Sequence, residues 1–232
     1  MAIEPLWCVV PAAGLGARFG AQLPKQYVVI GDRPVLLWTL QRLAQCRCIA
    51  GLLVVLAADD TLWPDINLVA GKPVLTAIGA SDRGGSVLAG LRALPDSVAA
   101  DTFVLVHDAA RPCVSCADID SLIANAGPAG GGLLAARMHD TLKRGDGDAR
   151  VVATEPREDR WRALTPQLFR RSELTSALAR AATDGIAITD EAMAMELAGH
   201  RPLLVEGAES NIKVTRPGDL ALAEYLLLRP EG

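Results

Sequence analysis

Short, continuously apolar runs alternate with stretches of helical spacing along this chain, and that alternation restricts its fold more than any other feature. Trp7 to Val10, Leu52 to Leu56, Pro73 to Ile78, Thr102 to Val106 and Gly132 to Ala136 have no polar face of their own. Strands of this kind are buried on both sides, which is the condition of a parallel sheet covered by helices. The intervening segments supply such helices. Pro34 to Leu43 places Val35, Leu36, Leu40 and Leu43 at helical intervals. Ser81 or Asp82 can cap a second helix whose apolar side is Val87, Leu88, Leu91 and Leu94. Thr215 can cap a last one, with Pro217 in its first turn and Leu220, Leu222, Leu226 and Leu227 inside. The expected fold is α/β: a mostly parallel sheet with helices on both faces.

One stretch breaks the rhythm. Arg137 to Arg162 is polar and charged, with Gly145-Asp146-Gly147-Asp148 in its middle. An Asp-Gly turn between Asp140–Lys143 and Arg150–Thr154 predicts a β-hairpin. Too polar for a core, it should project as a β-arm, either as a decorated loop or against a partner subunit. The chain as a whole reads as one domain spanning residues 1–232, with the arm at about 137–162.

Composition excludes several classes. With 23 Lys plus Arg against 27 Asp plus Glu, the net charge of −4 argues against a general nucleic-acid surface. The longest apolar run, Ile49 to Ala58, is half of the roughly 20 residues a membrane helix needs. The start carries no basic segment ahead of an apolar one, so no secretory signal is expected and the cytoplasm is the expected location. Reduced thiols are the expectation for Cys8, Cys46, Cys48, Cys113 and Cys116. Cys113-Val-Ser-Cys116 lacks the second pair of a structural zinc site.

The chemistry is concentrated after the first strand. Pro11-Ala12-Ala13-Gly14 leads into Gly16 and Gly20, and glycines there let a ligand approach the backbone. Between Pro5 and Gly31 there is no acid, and the charges are Arg18 and Lys25. Two cations beside a glycine-rich turn suit an anion such as a phosphate. Neither standard phosphate loop fits. The spacing from Gly16 to Gly20 departs from the dinucleotide fingerprint, and Gly-Lys-Ser/Thr is absent. The fourth apolar run ends in His107-Asp108-Ala109-Ala110-Arg111-Pro112. An aspartate at the carboxyl end of a strand, facing a phosphate loop, suits Mg²⁺, though it can equally cap a turn. His107 is expected to be packed rather than a metal ligand.

Taken in order, Pro-Ala-Ala-Gly-x-Gly-x-Arg, Pro-Lys-Gln-Tyr, His-Asp-Ala-Ala-Arg-Pro, Asp-Thr-x-Lys, Leu-Thr-Pro-Gln, Thr-Asp-Glu-Ala and Asn-Ile-Lys-Val-Thr-Arg-Pro resemble 2-C-methyl-D-erythritol 4-phosphate cytidylyltransferases from Pro11 to about Tyr225. The resemblance implies a Rossmann-like nucleotidyltransferase fold. It also implies transfer of CMP from CTP to methylerythritol phosphate, with release of pyrophosphate, in isoprenoid synthesis. By resemblance, Pro11, Ala12, Ala13, Gly14, Ala80, Ser81, Ser86, Asp108 and Ala109 bind CTP, with Ser86 where the family recognises cytosine. Arg18 and Lys25 stabilise the transition state, Asp108 holds Mg²⁺, and Lys213 positions the substrates. Arg111, Thr141, Arg157, Thr165 and Lys213 hold the sugar phosphate, and Arg157 and Lys213 count among the catalytic set. The arm corresponds to the family's dimerisation element, so a homodimer is implied. Gly79-Ala80-Ser81-Asp82-Arg83 departs from the family's usual Gly-Gly-Asp variants before its arginine, which bears on base selectivity. Ribitol 5-phosphate activation is the neighbouring alternative. A Rossmann oxidoreductase and a non-catalytic nucleotide-binding protein are the alternatives from other classes.

Overall fold

The computed structural model describes residues 5–14 and 23–228. Its centre is an eight-stranded sheet of order β12-β8-β11-β7-β1-β4-β6-β5. The strands are β1 (Leu6–Pro11), β4 (Ile49–Leu56), β5 (Leu68–Val69), β6 (Lys72–Ile78), β7 (Phe103–Val106), β8 (Gly132–Arg137), β11 (Trp161–Arg170) and β12 (Leu203–Glu206). The pairs β1/β4, β1/β7, β4/β6 and β8/β12 are parallel, as the continuous apolar runs imply. Antiparallel β11 joins β7 to β8. Two small hairpins flank the sheet: β2 (Val29–Ile30) with β3 (Arg33–Pro34), and β9 (Leu142–Gly145) with β10 (Val151–Glu155). The second is the hairpin expected from the Asp-Gly turn, with Asp146 turning the chain through bonds from the Asp148 and Arg150 amides.

Strand alternation sorts the core into two layers. Cys8, Val10, Leu52 and Val54 face one side, where they meet Leu36, Leu40 and Leu43 of α1 (Val35–Gln45) and Ile119 and Leu122 of α3 (Cys116–Ala126). Val9, Leu53 and Val55 face the other. That side is covered by Val87 and Leu91 of α2 (Arg83–Ala93), Leu174 and Leu178 of α4 (Arg171–Thr183), and Met195 of α5 (Glu191–Leu197). Truncating one of these fully buried leucines to alanine should cost about 2–5 kcal/mol.

Close approach explains two glycines. A Cβ on Gly90 of α2 would lie 2.6 Å from Val9, so α2 can settle on the sheet only without one. A Cβ on Gly51 would meet the Trp7 ring at 2.7 Å.

Of the two expected caps, the one on α2 is present, whereas Thr215 donates to the last helix instead of capping it. Asp82, rather than Ser81, caps α2 by accepting the Gly85 amide. Ahead of α6 (Pro217–Leu228), Thr215 and Arg216 donate their amides to Asp219, which closes the first turn from inside the helix. Within α6 it is Ala223 and Leu227 that are buried; Leu222 is exposed.

The cysteines require a correction. Cys46, at the end of α1, is joined to Cys116, at the start of α3, in a disulfide with a Cα–Cα distance of 5.2 Å. Packing α1 and α3 side by side on one face of the sheet brings together two residues 70 positions apart, which no local spacing reveals. Cys8, Cys48 and Cys113 are free thiols.

Candidate active site

Topology locates the site. From β1 the chain moves outward to β4 and β6, then returns to place β7 on the other side of β1. The crevice where the direction reverses, beyond the carboxyl ends of β1 and β7, is the preferred ligand position in an open α/β sheet. A cavity of about 190 Å³ lies there. Pro11, Ala12, Ala13 and Gly14 line it as they leave β1, and Asp108 and Ala109 line it as they leave β7. Ala80, Ser81 and Ser86 come from the turn into α2, and Lys25 and Lys213 add two cations to the lining. The cavity thus unites every residue expected to bind CTP with two of the expected catalytic lysines. Arg18 lies outside the described residues.

Several contacts shape this wall. The Gln26 amide group donates to the carbonyls of Ala12 (2.7 Å) and Gly14 (3.2 Å), tying the loop after β1 to the 3₁₀ turn that carries Lys25. The buried Ser86 hydroxyl sits 3.1 Å from both the amide and the carbonyl of Ala80, and 2.8 Å from the Asp82 carbonyl. It therefore staples the Gly79–Asp82 turn to α2. A Cβ on Gly79 would lie 2.8 Å from both Ala13 Cβ and Ser86 Oγ, so the turn and the loop after β1 touch only through a glycine.

Asp108 is the electrostatic centre. Its Oδ1 accepts from Arg83 Nη2 at 3.2 Å, and its Oδ2 meets Lys213 Nζ at 2.9 Å and Arg111 Nε at 3.2 Å. Burial disfavours its charge, but Arg83, Lys213 and Arg111 together outweigh burial and hold the carboxyl far below the usual carboxylate range. A buried carboxylate tolerates its position only with such partners.

Behind the cavity, Arg111 and Thr165 are committed to the protein itself. Arg111 donates through Nη1 to the Asn211 carbonyl at 2.8 Å, and Asn211 in turn donates to the Thr165 carbonyl at 2.7 Å. The Val214 amide bonds the Ala110 carbonyl, which fixes the segment carrying Lys213 across from Asp108. The Thr165 hydroxyl accepts from the Asp108 amide and lies 3.0 Å from His107 Nδ1. His107 Nε2 faces the Arg111 carbonyl at 3.1 Å. Burial pushes the His107 ring down to about 4, so it is neutral and packed, as the sequence implies, with Nε2–H donating and Nδ1 accepting.

Thr141 and Arg157 are not in the cavity. Both are exposed on the arm, where Arg157 Nη1 donates to the His139 carbonyl. Arg83 and Glu191, like Gln26, are polar groups that sequence reasoning did not single out as site residues. Arg83 lines the cavity and forms a two-pronged pair with the fully buried Glu191. Their signals were present as the arginine after Asp82 and the glutamate of Thr-Asp-Glu-Ala, but they lie 108 positions apart.

The donor set fits a divalent cation in one way. Two acids line the cavity, and Asp82 is occupied as the cap of α2. Asp108, whose oxygens already balance Arg83, Lys213 and Arg111, can share its carboxylate with Mg²⁺ where phosphate oxygens supply further ligands. Among the described residues, no cluster of three or more His, Cys, Asp or Glu is placed to hold a metal by itself. No helix among them is long and apolar enough to cross a membrane.

The chain is similar to known proteins over nearly its whole length. The family model of 2-C-methyl-D-erythritol 4-phosphate cytidylyltransferase matches residues 6–229. A protein of that name from Stenotrophomonas maltophilia (strain R551-3) is 56% identical over 229 residues, covering 98% of each chain. A crystal structure of 4-diphosphocytidyl-2C-methyl-D-erythritol synthase superposes with a TM-score of 0.83 at 35% identity, covering 98% of this chain and 100% of the other. The Francisella tularensis 2-C-methyl-D-erythritol 4-phosphate cytidylyltransferase gives 0.82 at 31%, covering 96% and 100%. The chain belongs to the 2-C-methyl-D-erythritol 4-phosphate cytidylyltransferase family.

Proposed function

We propose that this protein transfers the cytidylyl group of CTP to 2-C-methyl-D-erythritol 4-phosphate, forming 4-diphosphocytidyl-2-C-methyl-D-erythritol and pyrophosphate. The observation that carries this reading is the cavity at the β1/β7 crevice, where Lys25, Lys213 and Asp108 converge beside the loop after β1. A phosphate monoester is already a nucleophile at neutral pH, so the reaction requires alignment and charge neutralisation rather than an activated side chain. Lys25 and Arg18 neutralise the triphosphate as the bond to pyrophosphate lengthens. Lys213 stands where it can draw the incoming phosphate toward the α-phosphorus. The turn stapled by Ser86 presents the edge of the cavity to the base.

Asp108 would hold Mg²⁺ together with triphosphate oxygens, and the ion would supply further neutralisation of the phosphate charge. Lys213 and Arg111 both rest on Asp108 Oδ2, so the carboxylate that would hold the ion is already charge-balanced by this chain's own cations.

Thr141 and Arg157 serve the sugar phosphate from the arm, and the arm pairs with a second copy of the chain so that these residues reach a cavity. A homodimer working in the cytoplasm completes the reading.

The test is pyrophosphate release with Mg²⁺, comparing CTP with ATP and methylerythritol phosphate with ribitol 5-phosphate. Release confined to CTP and methylerythritol phosphate is the expected result. Preference for ribitol 5-phosphate moves the assignment to the neighbouring activity, and silence with every pair rejects catalysis.

A further inference from the structure

The polar network extends beyond the cavity to a carboxylate that no ligand can reach. Glu191, the first residue of α5, is fully buried and does not line the cavity. Both of its oxygens receive the Arg83 guanidinium, through Nη1 and, at 3.1 Å, through Nη2. The contacts of Arg83 with Asp108 Oδ1 are longer, 3.2 Å from Nη2 and 3.4 Å from Nε. Arg83 is therefore shared by two acids, and its two-pronged contact goes to the acid behind it.

Glu191 is itself held from both sides. Asp190 caps α5 through the Met193 amide and accepts from Gln167 Nε2 at 2.9 Å. Gln167 Oε1 accepts the Ala192 amide at 2.7 Å. Gln167 belongs to β11, the strand beside β7, so the sheet that sets Asp108 also sets Glu191.

A buried ion pair is weak evidence for stability, because well-packed apolar residues do as well in its place. Its location gives a better reason for it. Without Glu191, three cations would share one carboxylate, and Arg83 would be free to turn its full fork onto Asp108. A two-pronged guanidinium–carboxylate contact is among the strongest available to Asp108 and would draw that side chain away from the cavity.

We propose that Glu191 is a positioning residue for nucleotide binding, holding Arg83 back so that Asp108 keeps its place in the cavity wall. The inference rests on the nucleotide-transfer reading above and deepens it.

Glu191→Gln keeps the shape and removes the charge. The expected result is a fall of about 10- to 100-fold in kcat/KM for CTP, the usual effect of losing a group that orients a ligand's direct partner. KM for the sugar phosphate and the circular dichroism spectrum should not change. Glu191→Asp, which restores the charge, should recover much of the loss. Unchanged CTP kinetics in Glu191→Gln overturns the proposal. So does an equal loss toward both substrates together with a lowered Tm, which marks a merely structural pair. Should the Gln variant not fold, Glu191→Asp carries the test: a smaller, CTP-specific loss supports positioning, and wild-type or uniformly reduced kinetics rejects it. Calorimetric titration with CTP separates this proposal from the one it rests on. An inactive wild-type chain rejects the transfer reaction, while weaker CTP binding in the variant than in the wild type still supports positioning and equal binding still rejects it.

Discussion

Lys213 Nζ stands 2.9 Å from Asp108 Oδ2, a contact that joins the segment ahead of α6 to the end of β7 across the cavity. Asp108 also has Arg83 and Arg111, so it does not depend on Lys213 to remain ionised. Lys213 is partly exposed and can exchange this partner for a phosphate. Lys213→Met, which keeps the stem and removes the charge, should lower kcat by about 10²–10³-fold, the cost typical of losing one transition-state donor. Thermal stability should stay near wild type. Wild-type turnover in this variant would remove Lys213 from the reaction.

Gly79 sets the gap between the loop after β1 and the turn into α2. A methyl group there meets Ala13 Cβ and Ser86 Oγ at 2.8 Å. Neither neighbour can yield easily, since Ala13 follows a core strand and Ser86 is buried in α2. Gly79→Ala should cost about 1–3 kcal/mol by overpacking. It should also raise KM for CTP more than KM for the sugar phosphate. Unaltered CTP kinetics would show that the turn does not contact the nucleotide.

Arg157 offers a test of the two substrates from the other direction. It is exposed on the arm and absent from the cavity wall. If the arm serves the sugar phosphate, Arg157→Ala raises KM for that substrate and leaves CTP binding unchanged. Steady-state kinetics with each substrate varied in turn checks this, and a CTP-specific defect would place Arg157 elsewhere in the reaction.

The parallel core was legible where a strand is a continuous apolar run, as at Val9 and Val10, which need no polar side when helices cover both faces. The run from Pro73 to Ile78 implies the same burial, but in β6, next to the edge strand β5, Leu75 and Ile78 are exposed and Val74 is the buried residue. The same logic conceals β11: its segment from Leu164 to Phe169 is buried, but Thr165, Pro166 and Gln167 interrupt the apolar run. Thr165 and Gln167 support the site instead, Thr165 under Asp108 and Gln167 under Glu191's neighbours. Local motifs exposed the cavity's lining because Pro11–Gly14 and Asp108–Ala109 are contiguous at strand ends. Arg83 with Glu191, and Cys46 with Cys116, depend on packing between distant elements, and no spacing along the chain encodes that distance.

His107 makes stability depend on pH. Its native pKa of about 4 lies below the ordinary 6.5 because burial favours the neutral ring. Between those values the unfolded chain binds a proton that the native chain refuses, so stability rises with pH across that window and falls on acidification. By pH 4 the cost reaches about 3 kcal/mol at 1.36 kcal/mol per unit. Urea unfolding of wild type and His107→Gln between pH 4 and 7 measures it. The variant should show a shallower slope, and parallel slopes would mean that His107 does not contribute.

The Cys46–Cys116 link closes a loop of 70 residues between α1 and α3. On the chain-entropy view, a crosslink of that span stabilises by about 4 kcal/mol, chiefly by restricting the unfolded chain. The loop contains β4, β6, α2 and β7, so the crosslink spans much of the parallel core. Thiol titration of the denatured, unreduced protein should find three free groups, Cys8, Cys48 and Cys113. Reduction should release the other two and lower Tm, and Cys46→Ser should lower Tm to the same value while making it insensitive to reductant. Activity of the folded protein should survive reduction, because neither cysteine lines the cavity. Five free thiols before reduction, or a Tm indifferent to both treatments, would show that the pair is not bonded in solution.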